Sequence, residues 1–345
     1  MRGARTLQEI REQPAAWAAA IRSFDAASAT VERLFQGRCP DELIFTGCGS
    51  SYYLSLTAAA AFQQVAGIRA RAVPASEVLQ YPGCVFARGS RPLLVASSRS
   101  GTTTETVRAL AVARRRGIAT LSFTCDPRSP LARQAGLSLH SPEGAERSVV
   151  MTKSFSSLLL LGLLLAENRA GDPALRRALR RLPALGRRVV KAALAVTRDI
   201  GAGASSFVFL GAGPMHGVAR EAMLKMTEMA QRRAVAYHPL EFRHGPIAAA
   251  GPGTVGVLLG SRVGARLEAD LARDLRRHGV TVLALRDDWA PLAEADVDVA
   301  LDAGLPDEAR CLLYLPFGQA LAYHRAMGEG LDPDRPKSLR PVVRL

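Results

Sequence analysis

The chain has 345 residues, 48% of them hydrophobic and 22% charged, and a formal net charge of +14. This composition is ordinary for a globular protein and excludes a disordered chain, and the length suggests about two domains at ~150 residues each. Only four of the 45 basic residues are lysine, and the densest basic stretch, 176–191, contains no aromatic residue, so the charge favours an anionic small substrate over nucleic acid.

The chain opens with a segment, residues 1–30, that we predict to be helical. Its first residues, MRGARTLQEIREQP, lack the apolar core of a signal peptide. The longest apolar run, 158–166, has about half the ~20 residues that cross a bilayer. We therefore expect a cytoplasmic protein without a membrane segment. The five cysteines form no CxxC pair and the six histidines form no HxH or HxxxH pair, so we expect no disulfide framework, no metal and no cofactor.

The sequence after this segment repeats itself. Residues 42–82 and 206–246 share a GxG turn, an RAV triplet, and a glutamate and a proline at matching positions. The spacing of roughly 160 residues is about one domain length, which indicates a duplication. We predict one domain at 31–171, a connecting helix at 172–198, a second domain at 199–335 and a C-terminal tail at 336–345.

Each copy alternates apolar strands with helices. In the first copy the predicted strands are 43–46, 69–73, 93–97 and 119–123, and the apolar run 51–66 is predicted to be a helix that covers the sheet. This alternation predicts an α/β fold with two tandem, doubly wound, flavodoxin-like parallel sheets. Ligands of such sheets bind outside the carboxyl ends of the strands, so the turns at those ends are the candidate sites.

Two of these turns have the composition of an anion site. FTGCGSSY, residues 45–52, lacks the third glycine of a dinucleotide fingerprint and fits either a tight turn or a close approach to an anion. VASSRSGTTTET, residues 95–106, places Ser97, Ser98, Ser100 and several threonines directly after a buried strand. Hydroxyls and backbone N–H groups at a helix N-terminus can bind a phosphate monoester. A helix cap needs only one hydroxyl, so we favour a phosphate site.

Two later stretches carry charged residues. GAERSVVMTKSF, residues 144–155, is typical of a surface loop that enters a helix at 154–166. Glu221, Lys225 and Glu228 follow one another at i, i+4 and i+7, which places them on one helical face, either as an exposed ion pair or as the lining of a pocket. His244 stands beside a Gly-Pro turn, as a surface histidine or as a functional one. A carboxylate and an imidazole near a sugar phosphate suit proton transfer at carbon and ring opening.

Together these stretches resemble the SIS (sugar isomerase) family, most closely the tandem-SIS enzymes of amino-sugar phosphate metabolism. That group includes the SIS-type glucosamine-6-phosphate deaminases, the tagatose/galactosamine-phosphate isomerases, the fructosamine-phosphate enzymes and the isomerase half of glucosamine-6-phosphate synthase. The resemblance covers nearly the whole chain, from LQEIREQPAAW at 7–17 to LDPDRPKSLRPVV at 331–343.

The resemblance implies roles for particular residues. It implies that Glu228 moves a proton between C1 and C2 of the sugar, and that His244 opens the sugar ring. In the family this histidine reaches the active site of the neighbouring subunit, which implies a homodimer. Val149 falls on a backbone contact with the sugar, and Arg99 stands where the synthase has a glutamine. The implied substrate-binding side chains are those of Ser50, Ser51, Ser98, Arg99, Ser100, Thr103, Glu221 and Lys225.

Two departures from the family pattern bear on function. The opening motif begins at Glu9, so we expect no glutaminase domain and no production of ammonia from glutamine. Pro341 stands where the family has a catalytic lysine, and the preceding Arg340 stays protonated and cannot act as a base. The leading hypothesis is an aldose–ketose isomerase or isomerising deaminase for a glucosamine-6-phosphate-like sugar. The alternatives are a non-catalytic sugar-phosphate sensor and a fructosamine-phosphate deglycase.

Overall fold

The computed structural model describes residues 2–36, 39–337 and 339–340. The chain forms two compact units, each built around one sheet. Of the described residues, the first-sheet unit contains Glu12–Arg147, Met151–Pro183 and Arg340. The second-sheet unit contains residues 2–11, Ser148–Val150, 184–337 and Leu339.

Helices and strands alternate along most of the described chain. The helices are α1 (Ala4–Arg33), α2 (Ser50–Ala66), α3 (Ala75–Gln80), α4 (Pro82–Val85), α5 (Thr104–Arg115), α6 (Pro130–Gln134), α7 (Lys153–Ala170), α8 (Pro173–Val196), α9 (Pro214–Ala230), α10 (Pro239–Phe242), α11 (Ala265–Arg277) and α12 (Asp307–Gly328). The strands are β1 (Glu42–Gly47), β2 (Arg69–Pro74), β3 (Pro92–Ser97), β4 (Ala119–Thr124), β5 (Leu137–His140), β6 (Ser206–Gly211), β7 (Arg233–Tyr237), β8 (Thr254–Leu259), β9 (Thr281–Arg286) and β10 (Val297–Ala300).

The first sheet is parallel throughout and has the strand order β2-β1-β3-β4-β5. Its strands β1 and β3 are buried along their whole length, as expected of parallel strands with helices on both faces. On one face Ile44 and Leu94 pack in a cluster with Val78 of α3 and Ala109 of α5. Because β1 and β3 are hydrogen-bonded neighbours, the turns that follow them open at the same edge of the sheet.

The second sheet is also parallel and has the strand order β10-β9-β8-β6-β7. Val208 and Leu258 pack against Leu271 of α11 in its core. Helix α9 lies against α12 so closely that a Cβ at Gly318 would come within 2.5 Å of the Ala222 Cβ. Glycine at this position therefore fixes the placement of α9.

The predicted fold class, two tandem doubly wound parallel sheets, is confirmed. The first predicted strand, 43–46, is observed as Glu42–Gly47, and the helix predicted over 51–66 begins at Ser50. Each sheet also has a fifth strand, β5 or β10, that the sequence did not predict. Both are four residues long and mostly half-buried, so neither has the apolar run that marks a central strand. The domain boundaries given above stay predictions.

The apolar run 158–166 forms the middle of α7, where each of its residues is buried. None of the helices that the structure describes is both long and apolar enough to span a bilayer.

Candidate functional site

The hydroxyl-rich turn lies between β3 and α5 in the first-sheet unit, and we call residues 98–103 the hydroxyl turn. The Ser98 Oγ accepts a hydrogen bond from the Gly101 N–H at 3.1 Å and lies 3.1 Å from the Thr103 Oγ1. The Ser100 Oγ accepts one from the Thr102 N–H at 3.2 Å. These bonds fold the turn tightly ahead of α5, so that its hydroxyls and the free N–H groups of the helix lie at one edge of the sheet.

Glycine is required at the centre of the hydroxyl turn. Gly101 has a φ of +62°, and a Cβ built there would lie 2.0 Å from the Ser129 Oγ. The Gly101 carbonyl also accepts a hydrogen bond from the Leu131 N–H at 3.0 Å. The left-handed backbone and the lack of space together exclude any side chain.

Two hydroxyl side chains of the stretch 95–106 lie outside the hydroxyl turn and are buried. Ser97 is the last residue of β3 and is fully buried, and Thr106 on α5 is buried as well. Ser98 is 2% exposed, whereas Ser100 and Thr103 are half-buried. The position of Ser97 in the strand places its hydroxyl inside the unit, and a part for it in an anion site stays a prediction.

The turn between β1 and α2 lies next to the hydroxyl turn, since β1 and β3 are paired. Ser50 and Ser51 form the first turn of α2, and both are nearly buried. Gly49, which precedes them, has a φ of +54°. The Ser51 N–H donates to the Cys48 carbonyl at 3.0 Å, and the Ser55 hydroxyl donates to the Ser51 carbonyl at 2.8 Å. The structure thus brings a second helix N-terminus to the edge that carries the hydroxyl turn.

Arg99 of the hydroxyl turn lies beside Glu146, a residue that we did not single out from the sequence. The Arg99 Nη1 lies 3.4 Å from the Glu146 Oε2, and the carboxylate is fully buried. The Glu146 Oε1 accepts hydrogen bonds from the Thr152 N–H and Oγ1, both at 2.6 Å. The stretch 144–155 holds this residue, but nothing in its sequence separates a buried carboxylate from a surface one.

The charged face of α9 lies in the second-sheet unit. The Lys225 Nζ lies 3.2 Å from the Glu221 Oε1 and 2.5 Å from the Glu228 Oε2. Lys225 and Glu221 have fully buried side chains, whereas Glu228 is 19% exposed. Burial alone would lower the pKa of Lys225, but the two carboxylates outweigh it and raise the pKa above its ordinary value. The cation therefore stays charged and orients a carboxylate that solvent reaches.

The two remaining site residues also lie in the second-sheet unit. The Val149 N–H donates to the Asp334 carbonyl at 3.3 Å, so any backbone contact with a sugar uses the Val149 carbonyl oxygen. His244 is exposed in the turn after α10, and its backbone N–H donates to the Glu241 carbonyl at 3.0 Å. Pro341 lies outside the described residues.

The duplicated turn in the second sheet is filled by a side chain of the chain itself. Ser261 lies two residues after the end of β8, and its Oγ accepts the Gly264 N–H at 3.0 Å, as the Ser98 Oγ accepts the Gly101 N–H. There the Glu268 carboxylate accepts hydrogen bonds from the Ser261 N–H at 2.9 Å and from the Ser261 Oγ at 2.7 Å. Glu268 is 2% exposed. Its carboxylate takes the donors of this turn, so we expect an anion to bind only to the first copy.

The buried Glu268 makes stability depend on pH. Burial raises its pKa to about 7, despite the opposing hydrogen bonds from Ser261. The folded-state pKa lies above the ordinary 4.5, so ionisation of this group favours the unfolded chain. The contribution of Glu268 to the free energy of unfolding is therefore fully present below about pH 4.5 and is lost as the pH rises through about 7.

The free energy of unfolding of the wild type should fall between pH 5 and pH 8, and we expect this fall to be about 2–3 kcal/mol smaller in Glu268→Gln. Urea denaturation of both proteins at pH 5 and pH 8 measures the difference. Glu294→Gln, which removes a partly exposed carboxylate 3.2 Å from Arg273, is the control and should leave the pH dependence as it is in the wild type. An identical pH dependence in wild type and Glu268→Gln would contradict the assignment.

Known proteins resemble this chain in sequence and in fold. Residues 38–168 match the family model described as the SIS domain. The glucosamine-6-phosphate deaminase of Thermotoga maritima is 31% identical, and its structure aligns with a TM-score of 0.83 over 99% of this chain and 100% of its own. The tagatose-6-phosphate ketose/aldose isomerase of Escherichia coli, at 24% identity, has the same fold with a TM-score of 0.85 over 96% of this chain and 95% of its own.

A longer curated relative covers the same region. The isomerizing glutamine–fructose-6-phosphate aminotransferase of Methanothermobacter thermautotrophicus is 31% identical over 348 residues, which include 98% of this chain. The chain spans 57% of that relative's length. The tandem parallel sheets and a relative aligned over its whole length lead to one conclusion: the chain belongs to the SIS (sugar isomerase) family.

Proposed function

We propose that the chain is a sugar-phosphate isomerase or isomerising deaminase that acts on a glucosamine-6-phosphate-like amino sugar in the cytoplasm. The observation that carries the proposal is the buried Lys225, which holds the partly exposed Glu228 carboxylate at 2.5 Å. A sensor needs an anion site but has no use for an oriented carboxylate that solvent reaches. The names of the relatives, a deaminase and an isomerizing aminotransferase, support the same class of substrate.

The sugar phosphate binds first through its phosphate. Hydroxyls and N–H groups of the hydroxyl turn, with Ser50 and Ser51 at the start of α2, donate to the phosphate oxygens, and Arg99 adds a positive charge. The two helix N-termini contribute their dipoles to the same anion. This binding fixes the phosphate end of the substrate.

Glu228 then moves the proton. Its carboxylate takes a proton from one of the two carbons C1 and C2, which leaves a cis-enolamine, and returns it to the other carbon. The reaction needs a base on one face of the intermediate, and Lys225 keeps the carboxylate oriented throughout. Glu221 balances the Lys225 charge when Glu228 is protonated. A separate contact with the sugar comes from the Val149 carbonyl.

His244 opens the sugar ring, and in our proposal it does so in the active site of a second copy in a homodimer. Its exposure in a turn is consistent with that role. We expect His244→Ala and Glu228→Gln homodimers to be nearly inactive. A heterodimer of the two variants contains one intact site of two and should recover about half of the activity of the wild-type dimer. Isolated heterodimers carrying two different tags provide the measurement. An inactive heterodimer would show that both residues act within one chain.

A panel of hexosamine 6-phosphates tests the function. Purified protein is incubated with glucosamine, galactosamine and mannosamine 6-phosphates in D₂O, and ketose phosphate, ammonia and deuterium at C1 and C2 are followed. Ketose phosphate with ammonia identifies a deaminase, and exchange without ammonia identifies an isomerase. Binding without exchange for every sugar would overturn the enzyme proposal.

Two other functions remain as outcomes of this experiment, because Pro341 stands where the family has a catalytic lysine. A sugar-phosphate sensor binds members of the panel without turning them over. A fructosamine-phosphate deglycase is inactive on free hexosamine phosphates and releases an amine from a fructosamine 6-phosphate.

A further inference from the structure

Contacts within the first-sheet unit hold both the backbone carbonyl and the guanidinium of Arg99. Its carbonyl accepts hydrogen bonds from the Cys125 N–H at 3.0 Å and from the Thr124 Oγ1 at 3.2 Å. Its guanidinium lies 3.4 Å from the Glu146 carboxylate and is 13% exposed. Arg99 is therefore a positioned cation in the middle of the hydroxyl turn, between Ser98 and Ser100.

Glu146 is itself held rigidly. Its carboxylate accepts hydrogen bonds from the Thr152 N–H and Oγ1 and from the Ser154 hydroxyl, and its side chain is fully buried. The other nearby cation, Lys153, has its own partner, because its Nζ lies 2.7 Å from the Glu12 Oε2. Each cation thus has a separate carboxylate, and that of Arg99 is the buried one.

The remaining donors of the hydroxyl turn are neutral. Hydroxyl and backbone N–H groups bond a sulfate ester and a phosphate ester with similar geometry. Arginine keeps its charge at every physiological pH and has five N–H donors, so it can bond Glu146 and an anion together. A phosphate monoester becomes a dianion above a pKa of about 6, whereas a sulfate ester stays a monoanion. A fixed cation distinguishes the two by charge.

We propose that Arg99 selects the dianion of a phosphate monoester and that Glu146 is the positioning residue that holds Arg99 for this purpose. The inference rests on the proposed function, and it extends that function from phosphate binding to a choice between two anions of the same shape. Glu146 acts only through Arg99, so its effect disappears when Arg99 is absent.

Isothermal titration with glucosamine 6-phosphate and glucosamine 6-sulfate at pH 7.5 tests the proposal, because equilibrium binding needs no turnover. We expect Arg99→Gln to weaken phosphate binding about tenfold or more and sulfate binding clearly less. We also expect Glu146→Gln to reduce the phosphate preference, because Arg99 loses the carboxylate that positions it. The removal of a nearby negative charge would by itself have the opposite effect, so a reduced preference reports on positioning. In the Arg99→Gln background, Glu146→Gln should cause no further change in that preference.

Glu12→Gln is the matched control, since it removes the carboxylate of the neighbouring ion pair, and it should leave the preference unchanged. An unaltered preference in Arg99→Gln overturns the inference while the proposed function stands. Equal and additive losses for both ligands would show that Glu146 has only a structural role. If Glu146→Gln does not fold, Arg99→Gln and Arg99→Lys carry the test of charge selection. Failure of the wild type to bind either ligand overturns the proposed function together with this inference.

Discussion

We expect Glu228→Gln to lower the turnover of the best hexosamine 6-phosphate by about 10²–10⁴-fold, the usual contribution of a general acid–base group. Glutamine keeps the size and polarity of the side chain but cannot accept and return a proton at carbon. The Michaelis constant should change little, because phosphate binding depends on residues of the first-sheet unit. Deuterium from solvent should enter C1 or C2 with the wild type and not with the variant.

The ion pairs of α9 explain why this variant should fold. Lys225 is fully buried, and an unpaired buried cation would destabilise the unit severely. Glu221 lies 3.2 Å from the Lys225 Nζ and remains as its partner when Glu228 is replaced. The glutamine Oε1 can also accept the hydrogen bond that Lys225 now donates to Glu228.

The matched control is again Glu294→Gln, which removes one negative charge from the loop between β9 and β10. It should keep full turnover. Wild-type turnover in Glu228→Gln, with deuterium still entering the sugar, would remove this residue from the mechanism. Loss of both turnover and phosphate binding would point to misfolding, which urea denaturation detects.

The sequence predicted the fold through two features that act locally. The repeated GxG turns place a strand end and a helix start in each copy, and the apolar runs mark the buried central strands. The edge strands β5 and β10 have neither feature, because they are half-buried and their sequences, LSLH and VDVA, mix polar with apolar residues. Their formation depends on pairing with β4 and β9, which no local pattern reports.

Helical periodicity predicted that Glu221, Lys225 and Glu228 share one face, but it did not decide between an exposed pair and a buried one. Their burial depends on α12 packing against α9, a contact between segments about 90 residues apart that only the tertiary fold creates. Glu146 was missed for the same reason. Its partners Arg99 and Thr152 come from different segments of the first-sheet unit, and its own surroundings in the sequence are polar.

The turns after β3 and β8 differ in chemistry. Ser98 and Ser261 accept the same kind of N–H bond from a glycine three residues later. In the first copy the neighbouring side chain is the neutral Thr103, whereas in the second copy it is the Glu268 carboxylate. The Glu268 carboxylate on α11 thus takes donors of the second turn, whereas the Ser98 hydroxyl of the first turn lies against a neutral hydroxyl.

The hydroxyls of the first copy lead to the second large effect that we expect. Replacing Ser98 and Ser100 together by alanine should weaken the binding of glucosamine 6-phosphate by about 10²-fold or more, at about 1.5 kcal/mol or more for each lost hydrogen bond to a charged group. The variant should also lose about 1 kcal/mol of stability per residue, because both hydroxyls accept N–H bonds within the turn. Titration calorimetry and urea denaturation measure the two effects separately.

The control for this double variant is Ser28→Ala combined with Ser90→Ala. Each of these two hydroxyls donates to the backbone carbonyl three residues earlier, and neither belongs to the hydroxyl turn. The control therefore removes two serine hydroxyls and should keep wild-type affinity. If the double variant at the hydroxyl turn binds the sugar phosphate as tightly as the wild type, the phosphate does not bind there. If its affinity falls only as far as its folded fraction does, the hydroxyls support the turn and do not contact the ligand. A loss of affinity in fully folded protein is the result that the two helix N-termini and the fixed Arg99 lead us to expect.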